Sequence, residues 1–115
     1  MFTELYKHLK EKGFDVYSIG QHEGICSSPY LVIKESTEMD IVGTSFNNEL
    51  IDVIIYYPKG SYSKLNQYLK SIKESMSEIN KLKRAYDPTP VVIDDEKEAY
   101  TTSFSYKKIK KKEGI

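Results

Sequence analysis

The sequence has no tryptophan and a single cysteine, Cys26, among its 115 residues. One thiol cannot close an internal disulfide, and a secreted domain of this size more often carries paired cysteines. No apolar run approaches the roughly 20 residues that a membrane-spanning helix needs. The opening stretch, MFTELYKHLKEKGF, is charged and amphipathic and has no apolar core. It does not read as a signal peptide, so the chain is expected in the cytoplasm at synthesis and not in a membrane. An excess of one charge is missing too, since 17 Lys and Arg offset 17 Asp and Glu. Binding to bulk nucleic acid usually rests on a basic excess, because phosphate neutralisation drives it. A net charge of zero also leaves little self-repulsion and so tolerates self-association. The six glycines build neither GxGxxG nor a phosphate loop, and no internal repeat or long linker occurs. The length fits one domain over residues 1–115.

What the chain does have is tyrosine, ten in all. Tyr suits half-buried strands and protein interfaces equally well. Phe2, Leu5, Tyr6 and Leu9 recur at helical spacing, with Thr3 as a cap and Gly13 as a stop, which predicts a short helix over 3–12. Phe14, Val16 and Ile19 predict a brief extended segment. Residues 20–29, GQHEGICSSP, read as a loop. YLVIKEST, residues 30–37, reads as a strand. A turn is expected over 38–48, with a short strand around Ile41 and Val42.

Residues 49–57 carry apolar side chains on both faces, interrupted by Asp52, which predicts a central strand. Pro58, Lys59 and Gly60 end it. Leu65, Tyr68, Leu69, Ile72, Met76, Ile79 and Leu82 then form one stripe of a long core-facing helix, about 62–84. Asp87-Pro88-Thr89-Pro90 breaks the pattern. The last third reads as a hairpin: a strand over 90–94, an acidic turn over 94–98 and a strand over 99–109. In that last strand Tyr100, Thr102, Phe104 and Tyr106 share one face. Ala99, Thr101, Ser103 and Ser105 share the other, expected to be wet or at an interface. From about residue 110 the basic tail is expected to be flexible. The expected fold is α+β, a mainly antiparallel sheet with both helices packed on one face.

Chemistry is thinly signposted. His22, Glu23 and Cys26 spell H-E-x-x-C, but a zinc protease needs His in place of that Cys, on a helix. Cys26 as a nucleophile would require a base and an orienting group, and only His22 is near in sequence. His8 lies among lysines and reads as solvated. Asp94, Asp95, Glu96 and Glu98 lack the alternating spacing and glycine of a calcium loop. They read as a solvated tip or a contact for a basic partner. Lys81, Lys83 and Arg84, and Lys107 to Lys112, form two basic clusters without the interleaved aromatics of a single-strand platform. No cofactor, metal or catalytic residue is expected, and no enzyme.

The order and texture of the whole chain resemble the tail terminator and tail-completion proteins of long-tailed bacteriophages and related phage-tail-like particles. The residues that carry this are FTELYKHLKEKG, SSPYLVIKEST, DVIIYYPKGSYSKLNQYLKSIKESM and IDDEKEAYTTSFSYKKI, taken in that order. The likeness lies in element order, without a signature motif, and the family does not require the basic KKIKKKEGI tail. It implies a structural virion protein, made in the host cytoplasm and ending in the tail or neck. Such a protein forms a homo-oligomeric ring, a hexamer, that caps the tail tube, stops its polymerisation and meets the head-tail connector. Tail tube protein, connector or neck protein and tail sheath are the implied partners. Loop 20–29 and turn 94–98 are candidate contacts, together with Tyr56, Tyr57, Asp94, Asp95, Glu96, Tyr100, Thr101, Ser103 and Ser105. The alternatives are another small neck or head-completion adaptor, or a small nucleic-acid-binding protein.

Overall fold

The protein was analysed as a computed structural model that describes residues 2–40, 46–60, 62–85 and 89–111. The first element, helix α1 (Phe2–Glu11), starts one residue earlier than its spacing predicts, which places Thr3 inside it. It ends through hydrogen bonds from Gly13 N to Lys10 O (3.0 Å) and from Phe14 N to Leu9 O (3.1 Å). That doubly closed C-terminus needs a left-handed residue, and Gly13 supplies it at φ 93°.

Six strands follow around a second helix: β1 (Val16–Ser18), β2 (Tyr30–Asp40), β3 (Phe46–Pro58), α2 (Tyr62–Ser77), β4 (Lys83–Arg84), β5 (Val92–Asp94) and β6 (Ala99–Lys111). They form one sheet in the order β1-β2-β3-β6-β4, with β5 also paired to β6. The fold is α+β, as expected, and β3 is central. The sheet is mixed, however, because β1 runs parallel to β2. The chain crosses from β1 to β2 through loop 20–29, which returns it to the same end of the sheet.

Leu31 and Ile33 of β2, Ile51, Val53 and Ile55 of β3 and Phe104 and Tyr106 of β6 point to one face and join Leu5, Leu9, Ile72 and Met76 in the main core. Both helices therefore cover the same side. This is the outcome of period two on the strands meeting period 3.6 on the helices.

Three boundaries differ from the sequence reading. The long helix stops at Ser77, seven residues short of the expected end. Ile79 and Leu82 still pack on the core, carried by tight turns in which Ile79 N bonds Met76 O and Leu82 N bonds Ile79 O. A stripe of apolar side chains can be kept by turns as well as by a helix, so periodicity alone overran the end.

The described residues at both ends of the turn expected over 38–48 are strand, and its middle, 41–45, lies outside the described residues. β2 runs on to Asp40 and β3 starts at Phe46, paired as Met39 to Asn48 and Asp40 to Asn47. The short strand expected at Ile41 and Val42 lies outside the described residues. The expected break at Asp87-Pro88 lies outside them too, as do residues 112–115. Finally, β6 continues through Lys110 and Lys111, opposite Asn47 and Phe46, where a flexible tail was expected. Pairing with β3 overrides the weak strand propensity of these polar and charged residues. Thirteen residues at about 3.3 Å each make β3 and β6 roughly 40 Å long, approaching the molecule's longest dimension of 50 Å.

Candidate functional site

With both helices on one side, the opposite side of the sheet carries no described helix. Its rows follow from strand register. Tyr17, Val32, Ile54 and Ser103 form one row, and Tyr30, Tyr56, Thr101 and Val92 a second. Lys34, Asp52 and Ser105 form a third. In that third row the Ser105 hydroxyl donates to Asp52 Oδ1 at 2.6 Å, and Lys34 faces Asp52 with opposite charge.

One end of this face is closed over. The backbone N–H of Cys26 donates to Lys97 O at 2.8 Å, which fastens loop 20–29 to the β5–β6 turn. Beneath the clip Cys26, Tyr30 and Ala99 form a second small core. Ala99 is therefore wholly buried within the chain, where its side of β6 was expected to be wet or at an interface. Aromatic rings build the rest of this end: His22 stacks on Tyr30 at 3.9 Å, Tyr30 on Tyr56 at 4.9 Å, and Tyr17 meets Tyr30 edge-on at 5.6 Å. Lys97 Nζ lies 5.5 Å over the Tyr56 ring.

Burial pushes the Tyr30 hydroxyl up to about 12 and raises that of Tyr56 as well. Neither the Tyr30 hydroxyl nor His22 Nδ1 has a hydrogen-bond partner among the described residues. The Cys26 thiol donates to Ser28 O at 3.2 Å, and burial raises its pKa, which disfavours the thiolate that a nucleophile needs.

The open part of the face is shallow and mostly apolar. Ile19, Val32, Ile54 and Tyr56, with Lys34 at one end, outline a groove of about 400 Å³. A second hollow of about 340 Å³ begins at Ile54 and passes Thr101 and Ser103 to Pro90 and Val92. Ile19 and Val92 are more than half exposed, at 61% and 56%.

The residues singled out from sequence divide into three places. Tyr56, Thr101, Ser103 and Ser105 come together on the open face. Tyr57 and Tyr100 lie on the helix side, in ring contact with Tyr68 and Tyr62 respectively. Asp94, Asp95 and Glu96 sit at the β5–β6 turn, where Asp94 Oδ1 accepts from the backbone N–H of Glu96 (3.1 Å) and Lys97 (3.2 Å). The Asp94 carboxylate thus shapes the turn, while Asp95 and Glu96 are exposed.

Tyr30, Val32 and Ile54 belong to the open face as well, and sequence reasoning left them out of the candidate contacts, whereas His22 entered them only as part of loop 20–29. Alternation marked Ile54 as facing away from Ile55, but only the packing of α1 and α2 shows that no described helix covers that side. His8 also turns out to be placed, within 2.8 Å of Ser75 O through its Nε2. Among the described residues no three His, Cys, Asp or Glu side chains converge in a metal-binding arrangement. No protein-family model matches the sequence, and neither does any curated protein. The geometry of this face therefore carries the functional reading.

Proposed function

We propose that this chain is an assembly subunit of a phage-tail-like particle, a tail terminator that forms a ring, caps the tail tube and presents a surface to the head-side connector. The observation that carries the reading is the one-sided sheet. Both helices pack against one face and leave the other with a partly buried apolar row, Val32–Ile54, flanked by the exposed Ile19 and Val92. An exposed apolar patch on a small domain is a contact surface in waiting. Tyr-rich margins and a neutral net charge suit such contacts. Under this reading the open face meets tube or connector, and the loop–turn clip orients it.

The test is direct. Purified protein is examined by light scattering and negative-stain imaging, then added to polymerising tail tube protein. Closed rings, and tubes that stop growing once the protein is added, are the expected results. Tubes that lengthen as before, with no ring seen alone or on tube ends, would refute the proposal.

A further inference from the structure

We infer that copies of this chain join head to tail through the two edges of the long β2–β3–β6 arm that no described strand covers, the acidic edge of β2 against the basic edge of β6. This deepens the ring reading and rests on it for closure, but not for the contact.

The edges are defined by what pairs with them. β1 covers β2 only at Leu31, Val32 and Ile33. From Lys34 to Asp40 no described strand lies on the outer side of β2. On the other flank β4 covers β6 at Tyr106 and Lys107. From Lys108 to Lys111 no described strand lies beyond it. Unpaired strand edges of this length template the addition of another strand.

The sequence puts opposite charges on the two edges. The open stretch of β2 contains Glu35, Glu38 and Asp40 beside one Lys34, with a register shift between Glu35 and Glu38. The open stretch of β6 contains Lys108, Lys110 and Lys111, extended by Lys107 and by Lys83 and Arg84 of β4. Register then sets their heights. Glu38 pairs with Glu49, and Glu49 with Lys108; Asp40 pairs with Asn47, and Asn47 with Lys110. Glu38 is thus level with Lys108, and Asp40 with Lys110, on opposite flanks of one arm. Both outer strands run antiparallel to β3, so they run parallel to each other. A neighbour turned about an axis along the strands therefore brings its β6 beside this β2 in parallel. Unlike charges then meet, give or take the stagger that closure of a curved sheet demands.

The ordinary use of charge on an edge strand is to repel other strands. Protection of that kind does not call for opposite signs on the two flanks. Here a two-fold contact of β2 with β2, or β6 with β6, sets like charges together, whereas β2 with β6 does not. The charges therefore reject the isologous dimer and select the heterologous contact, the kind that closes into a ring or runs on as a filament.

Charge reversal tests this. E38K/D40K makes both edges basic, and K108E/K110E makes both acidic. Each variant alone is expected to associate about thirtyfold more weakly than the wild type at low salt, from two attractive pairs turned repulsive. Their equimolar mixture, and the chain carrying all four changes, should regain association. Wild-type association should weaken as salt rises. Far-UV circular dichroism should match the wild type, with stability within about 1–2 kcal/mol, because each reversal also changes a cross-strand pair with Glu49; E38Q/D40N gives a milder second reading of the acidic edge.

Either reversed variant assembling as well as the wild type would overturn the inference. A wild type that stays monomeric at high concentration and low salt, or a mixture that does not recover, would do the same. Duplex DNA bound at the basic edge with no change in oligomeric state would also overturn it. Closed rings that survive both reversals sink the edge contact and spare the ring reading. Open filaments lost on reversal and restored by mixing sink the ring and spare the contact.

Discussion

Replacing Ile72 and Ile54 in turn separates the two faces of the sheet. Ile72 is wholly buried between α2 and the strands, while Ile54 is only partly buried, on the side that no described helix covers. Truncating a buried Ile to Ala removes its transfer energy and leaves a cavity, together about 2–5 kcal/mol. For a domain of this size that is a fall in melting temperature of roughly 8–20 °C. Ile54→Ala gives up only part of a side chain's burial, on the order of 1 kcal/mol or less, and opens no cavity. The charged pair sharpens the contrast. Ile72→Asp buries an unpaired carboxylate and is expected to prevent soluble folding, since the total stability of such a domain is only about 5–15 kcal/mol. Ile54→Asp is expected to fold with a loss of about 1–3 kcal/mol, short of unfolding, and to lose association with tube or connector. The assay is urea and thermal denaturation followed by far-UV circular dichroism, with light scattering on the folded variants. Equal losses at the two positions, or an Ile72→Asp protein with unchanged melting, would refute the one-sided sheet on which the functional reading depends.

Tyr30→Phe removes a buried hydroxyl that has no hydrogen-bond partner among the described residues, so it should stabilise the protein slightly or leave it unchanged, by up to about 1 kcal/mol. The same variant should flatten the alkaline limb of stability. Burial raises Tyr30 from 10 to about 12, so the folded state holds a proton that the unfolded chain releases, and stability is full below pH 10 and falls as pH rises towards 12. Chemical denaturation at several pH values checks both, and an unaltered alkaline limb would count against the burial of this ring. Deleting residues 110–115 should leave melting within about 1–2 kcal/mol of wild type, because the core residues Phe104 and Tyr106 come earlier in β6. Loss of folding on that deletion would mean that the strand end is needed to hold β3.

The elements that sequence reading located well are those whose periodicity is tied to burial. The stripe Leu65–Ile72–Met76 and the alternation Ile51–Val53–Ile55 each state which face is apolar, and each lies in the core as expected. The alternation around Ile54 and Tyr56 was legible too, and so was their place on the opposite face. What decides function is whether anything covers that face. That depends on the side of the sheet each helix takes, a tertiary fact with no local signal. The outer arm was missed for a related reason. Glu38, Met39 and Asp40 have neither alternation nor strong strand propensity, and they become strand only because β3 supplies hydrogen-bond partners. The lysine-rich end of β6 likewise reads as a tail until its register opposite Phe46 to Glu49 is known.

Charge shows how a sum can hide an arrangement. A neutral total was read as permission for self-association, which is a weak statement about the absence of repulsion. The sheet turns the same residues into a dipole across its width, acidic at β2 and basic at β6, with the neutral Asn47 and Asn48 of β3 between them near the arm's end. A neutral chain with its charges mixed at random would associate in any orientation or none. Separated onto two edges at matched heights, the charges favour one relative placement of neighbours and oppose the two symmetric ones. In that geometry every subunit keeps one acidic and one basic edge unsatisfied until another copy arrives. Only a closed ring, or an unending filament, leaves none exposed.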